Sequence, residues 1–242
     1  MNEHISMLPP FIPTRRAVWW LGLLFIVSAA ISWIAVGYDF AELRLITLDL
    51  RGGEAVSQAT RLAHASAGAI VGTLQLVVLA VTGLAFLVWL HRARVNVRAL
   101  GVRRLAYGRE WTVLGFVVPF LNVFRPYQVV REIWRASDPS TGDPLAWKRV
   151  RAPGKLAVWW GLFVAYFVLE ALAASILGIS TNPGRIRLAY AAGFVADLCA
   201  ALSASFAYFV VVGISEAQEA KRAAHGRGTR SDAPFDPRDA VA

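Results

Sequence analysis

Four stretches of this chain, 17–37, 65–90, 156–177 and 188–214, each run for more than twenty residues without a lysine or arginine. At about 1.5 Å per residue, each is long enough as a helix to cover a hydrocarbon layer roughly 30 Å thick. A soluble domain alternates apolar and polar positions to give each helix one wet face, and these blocks do not. With 57% hydrophobic and only 17% charged residues, lipid is the solvent the composition asks for. The expected fold is all-α integral membrane, a bundle of four transmembrane helices with a short re-entrant or interfacial helical hairpin between the second and third spans. Five or six spans is the alternative. The domain reading is a mobile N-terminus over 1–16, one polytopic membrane domain over 17–215 and a mostly disordered tail over 216–242. Block 17–37 carries three Trp and is too long for the apolar region of a signal peptide, so it reads as an uncleaved helix.

The basic residues fix an expected orientation. Residues 91–110 hold six Lys or Arg, 125–155 hold seven, the tail after Ile214 holds five and the N-terminus two. The other two loops hold only Arg44, Arg51, Arg61, Arg185 and Arg187, and four acids offset the first three. The positive-inside rule then puts both termini in the cytoplasm, with the chain multi-pass in a plasma (inner) membrane. The net charge of +9 is thereby a topology signal, and no nucleic-acid partner is expected. Cys199 is the single cysteine, and His4, His64, His91 and His225 lack ligand spacing, so neither a disulfide nor a metal site is indicated.

Block 111–124 (WTVLGFVVPFLNVF) is too short to span comfortably and is interrupted by Gly115 and Pro119. Spanning would also place the seven following cations on the wrong side. A hairpin entering and leaving on the cytoplasmic face fits better, with Asn122 expected to satisfy backbone groups freed by Pro119 and Pro126. Next, Tyr127, Val130, Ile133 and Trp134 share one helical face while Arg131, Glu132 and Arg135 share the other. That pattern predicts a short amphipathic helix at the membrane surface, with Arg125, Tyr127, Arg131, Trp134 and Arg135 as candidate contacts for anionic lipid head groups or a partner. Two further patterns concern packing. Gly68 and Gly72 have the spacing that lets helices approach closely. The run AVWWL at 17–21 is echoed by AVWWG at 157–161, which suggests two related hairpins or merely interfacial Trp pairs.

The segments VWLHRARVNVRALG at 88–101 and GFVVPFLNVFRPYQVVREIWRASDP at 115–139, followed by Trp147 and VWW at 158–160, carry a resemblance. Over roughly 65–215 the chain resembles the bacterial membrane family catalogued as domain of unknown function number 4328. The matching positions are Pro119, Asn122, Pro126, Glu132, Trp134, Arg135 and Ser137, and Phe116 stands where the family usually shows Trp. The resemblance implies a membrane protein and brings no activity with it.

Catalytic signatures are missing. Gly213-Ile214-Ser215 continues as Glu-Ala and forms no nucleophile elbow, and the sequence has no HExxH helix, no phosphate-cradling loop and no cofactor motif. Glu170 and Asp197, by contrast, are charges that an apolar span tolerates only for a reason. Counted from the connection between their two helices they lie at similar depth, so they could face each other and share one proton, with Gln75 at comparable depth in the second span. Sequence alone therefore favours a membrane scaffold or interaction module that contacts anionic lipid, a protein partner or a second copy through its Arg-rich cytoplasmic face. The alternative is a transporter or channel using Glu170 and Asp197 as an intramembrane proton or cation site.

Overall fold

The computed structural model describes residues 8–52, 57–118, 120–141 and 144–231, and no strand occurs among them. Six helices follow in order: α1 (Arg15–Leu50), α2 (Gln58–Ala99), α3 (Trp111–Val117), α4 (Arg125–Ala136), α5 (Gly154–Ile179) and α6 (Pro183–Ser231). Among the described residues α1, α2, α5 and α6 are the four long and apolar enough to cross a membrane.

All four overrun their apolar blocks. Helix α1 continues for 13 residues past Gly37, to Leu50, because no residue from 38 to 50 breaks a helix. The stop comes at Gly52, whose φ of +72° is costly for any residue with a Cβ. Helix α2 opens where the Ser57 hydroxyl accepts the Thr60 N–H at 3.1 Å. Helix α6 opens on Pro183, behind Asn182, whose side-chain oxygen accepts the N–H groups of Gly184 and Arg185. It continues past the block at 188–214 to Ser231, so the segment read as a tail begins as helix; residues 232–242 lie outside the described set, as do 1–7.

Helix α6 is the axis of the bundle, with α1 and α5 packed along it and α2 packed on α1. Small residues allow this: Ala189, Ala196 and Ala201 of α6 are almost fully covered. Gly193 leaves so little room that a Cβ there would stand 2.9 Å from the Asp39 carboxylate of α1. Gly68 similarly lets the Tyr38 ring lie against α2, whereas Gly72 faces open space. The outward surface is apolar, with Ile26, Leu76, Leu84 and Val168 at least 60% exposed, as lipid-facing surfaces are. The two Trp pairs of the sequence echo differ in environment, since Trp19 and Trp20 are exposed while Trp159 and Trp160 are buried.

Block 111–124 forms no fifth long helix. Seven-residue α3 gives way to extended backbone at Val118, Phe120 takes a left-handed φ of +63° and a 3-10 turn, Leu121–Val123, leads into α4. The result is a tight helical hairpin, closed where Gly115 faces the backbone and Cβ of Arg125. Pro119 falls outside the described residues.

Helix α4 and the basic ends of α1, α2, α5 and α6, five segments in all, bury one apolar knot. Trp89, Leu90, Val129, Ile133, Leu156 and Ile214 are wholly or almost wholly inaccessible there. The sequence pattern expected the apolar side of α4 to rest on a membrane; the helix instead turns it into protein, because these helix ends offer a closer apolar match. Polar clasps complete the knot. The Gln218 amide donates to Ala93 O and to Ser137 Oγ, Asn96 donates to Gln218 Oε1 and Ile12 O, and Lys221 donates to Ala136 O and Thr141 Oγ1.

Candidate functional site

Midway along the bundle the buried Asp197 carboxylate of α6 accepts a hydrogen bond from Gln75 Nε2 of α2 at 2.6 Å. Glu170 of α5 is half-buried and near enough for its charge to act on Asp197. The structure thus gathers the three polar residues that the sequence singled out, Glu170, Asp197 and Gln75, from three different helices. It adds a fourth that sequence reading passed over. Asp39 of α1 is only 8% exposed, faces Gly193, and feels the charges of Asp197, Glu170 and Glu42. Its signal was available: Ser32, Ala35 and Val36 precede it on one helical face and are all buried. These carboxylates do not converge on a point, and among the described residues no three acidic, histidine or cysteine side chains are placed to hold a metal ion.

The carboxylate group lies between two hollows. Toward the end away from the arginines is a cavity of about 210 Å³ bordered by Tyr38, Glu42, His64 and Tyr190, with Glu42 Oε1 3.0 Å from His64 Nδ1. Arg61 and Asp49, paired at 2.7 Å, line it as well. Toward the arginine-rich end is a larger cavity of about 470 Å³ that all four long helices line. Gln75 and Tyr166 form its polar end, and Phe86, Phe116, Trp159 and Trp160 are among the aromatic rings that line it. Phe116 meets Phe86 and Trp160 edge-on, each at 6.0 Å, so phenylalanine makes the ring contacts at that position. Helices α2 and α5 flank this cavity with few contacts between them, leaving it open on that side.

The hairpin and surface candidates are placed as follows. Asn122 projects outward, and the side chain that satisfies hairpin backbone is instead Trp160, whose indole N–H donates to Val123 O at 2.6 Å. Gly115 is buried in the hairpin and Pro126 sits in the first turn of α4. Arg125 bonds Tyr107 and Gln128 and lies over the Trp111 ring. Arg131 covers Tyr127 and is exposed, Trp134 packs against Gly213 beneath Lys155, and Arg135 donates to the Val150 and Lys148 carbonyls. Glu132 is buried, accepting the Ala106 and Tyr107 N–H groups. Its charge also acts on fully buried Arg94, which itself donates to Tyr107 O.

The segment that ties α4 to its surroundings, Glu132 through Ser137, lies within 115–139, one of the stretches that carry the sequence resemblance. The model of the family described as Domain of unknown function (DUF4328) matches residues 52–216. The chain belongs to that family. The match takes in α2 to α5 and α6 as far as Glu216, and so includes Gln75, Glu170 and Asp197 but stops short of Gln218 and Lys221. No curated protein and no solved structure matches the chain.

Proposed function

We propose that the four long helices cross a membrane and that the chain is a transporter that uses Asp197 and Glu170, with Gln75, as an intramembrane proton or cation site. The observation that carries this reading is the 2.6 Å Gln75–Asp197 bond inside the bundle. A carboxylate surrounded by lipid-facing helices is kept only with a partner or a proton, and here the group is flanked by a hollow on either side. An alternating proton or cation would enter past Glu42 and His64, reach Asp39, and exchange at Asp197. In sealed vesicles carrying the full chain, an imposed pH gradient should collapse at least tenfold faster than in empty vesicles. Asp197→Asn together with Glu170→Gln should return the rate to that of empty vesicles. Equal decay with native and doubly substituted protein would end the proposal.

A second reading concerns the arginine-rich end, read as cytoplasmic. Arg92, Arg98, Arg104, Arg109, Arg131 and Arg149 are all exposed, and none of them meets a carboxylate of the described residues within ion-pair distance. Each cation near an anionic leaflet contributes about 1 kcal/mol, so this end suits phosphatidylglycerol-type head groups. Protein extracted from mixed bilayers should retain anionic lipid above its bulk proportion, and changing Arg104, Arg109, Arg131 and Arg149 to Gln should bring the retained mixture back to bulk.

A further inference from the structure

We infer that the larger cavity binds a lipophilic cation, an apolar or aromatic body carrying one positive charge; this rests on the transport reading and names the substrate class of the same site. Three observations converge. The cavity of about 470 Å³ has the size of small-molecule sites. Aromatic rings, among them Phe86, Phe116, Trp159, Trp160, Phe163 and Tyr166, make up part of its lining, and ring faces attract cations most when water is excluded. At its polar end Gln75 is bonded to Asp197, and Tyr166 feels the charges of both Glu170 and Asp197.

The charge balance decides the sign of the ligand. Residues 17–43, 65–90, 156–184 and 188–215 contain no lysine or arginine, yet they contain Asp39, Glu42, Glu170 and Asp197. Among the described residues no side chain donates a hydrogen bond to Asp39, although it is more than nine-tenths covered. An acyl chain would fill the apolar walls and leave these carboxylates unanswered, and an anion would be repelled by them. A cation whose charge sits at the Gln75 end answers both. Because a proton and such a cation neutralise the same carboxylates, occupancy by one weakens the hold on the other.

The test uses the full chain in nanodiscs of neutral phosphatidylcholine, with empty nanodiscs subtracted, and equilibrium dialysis against tetraphenylphosphonium and its near-isosteric anion tetraphenylborate. Tetraphenylphosphonium should bind saturably at one site per chain, and tetraphenylborate should not displace it. Asp197→Asn or Glu170→Gln should weaken binding at least tenfold, and Ala204→Phe, which narrows the cavity, should weaken it as well. Having both carboxylate variants guards against one failing to fold, which a melting curve reveals. Equal competition by the anion, or binding unchanged in Ala204→Phe, would overturn the inference. Proton flux without phosphonium binding would sink this inference alone, and phosphonium binding without proton flux would sink the transport reading alone.

Discussion

The two halves of the bundle are built on opposite principles. At the arginine-rich end, five segments close on one knot in which Trp89, Ile133 and Leu156 are inaccessible and Gln218 bridges α2, α4 and α6. In the other half, four helices stand around hollows, and the buried groups are carboxylates with few hydrogen bonds. The first arrangement spends most of its polar groups on holding helices together, although Arg94 Nε and Nη1 lie buried there without a hydrogen-bond partner among the described residues. The second leaves polar groups available, as a site that must exchange its occupant requires.

If the contrast holds, identical changes should act unequally. Trp89→Ala empties the knot and loses the indole bond to Ser215, so thermal unfolding in detergent should report a loss of about 3–5 kcal/mol. Trp33→Ala removes a ring that is 54% exposed in the open half and should cost less than about 1 kcal/mol; equal losses would erase the distinction. Gln218→Leu leaves Asn96 and Ser137 short of a partner inside the knot, for an expected loss of about 1–3 kcal/mol in the same assay. Smallest is Ser57→Ala, which removes the cap of α2 at an exposed end and should cost about 0.5–1 kcal/mol. A larger effect there would show that the open half depends on its helix ends more than its packing indicates.

Much of the architecture was legible because an unbroken apolar run can hardly become anything but a long helix. How far the helices run past those blocks was not, since residues 38–50 and 215–231 are helix-compatible without being apolar, and the end of α1 depends on the turn at Gly52. Glu170, Asp197 and Gln75 were found by depth alone, because a charge in an apolar run is conspicuous. Asp39 lies two residues past such a run and looked like loop. On α4 the sequence put Val130 and Ile133 on the apolar side, and both are buried, but Glu132, put on the polar side, is buried with them while Tyr127 and Trp134 are only partly covered; periodicity does not say whether lipid or protein covers a face. The cavity was beyond sequence, because it depends on α2 and α5 standing apart while both lie close to the α1 and α6 pair.

Helix α6 carries Asp197 and Gln218 on one uninterrupted rod, separated by roughly 32 Å at helical rise. Pivoting that rod by about ten degrees near the carboxylate would swing Gln218 sideways by about 5–6 Å at that rise, beyond the stretch that its 2.9 Å and 3.1 Å donations can survive. The helix therefore acts as a stiff pointer: a change of occupant deep in the bundle that rocks it must register at the far end as clasps released or remade.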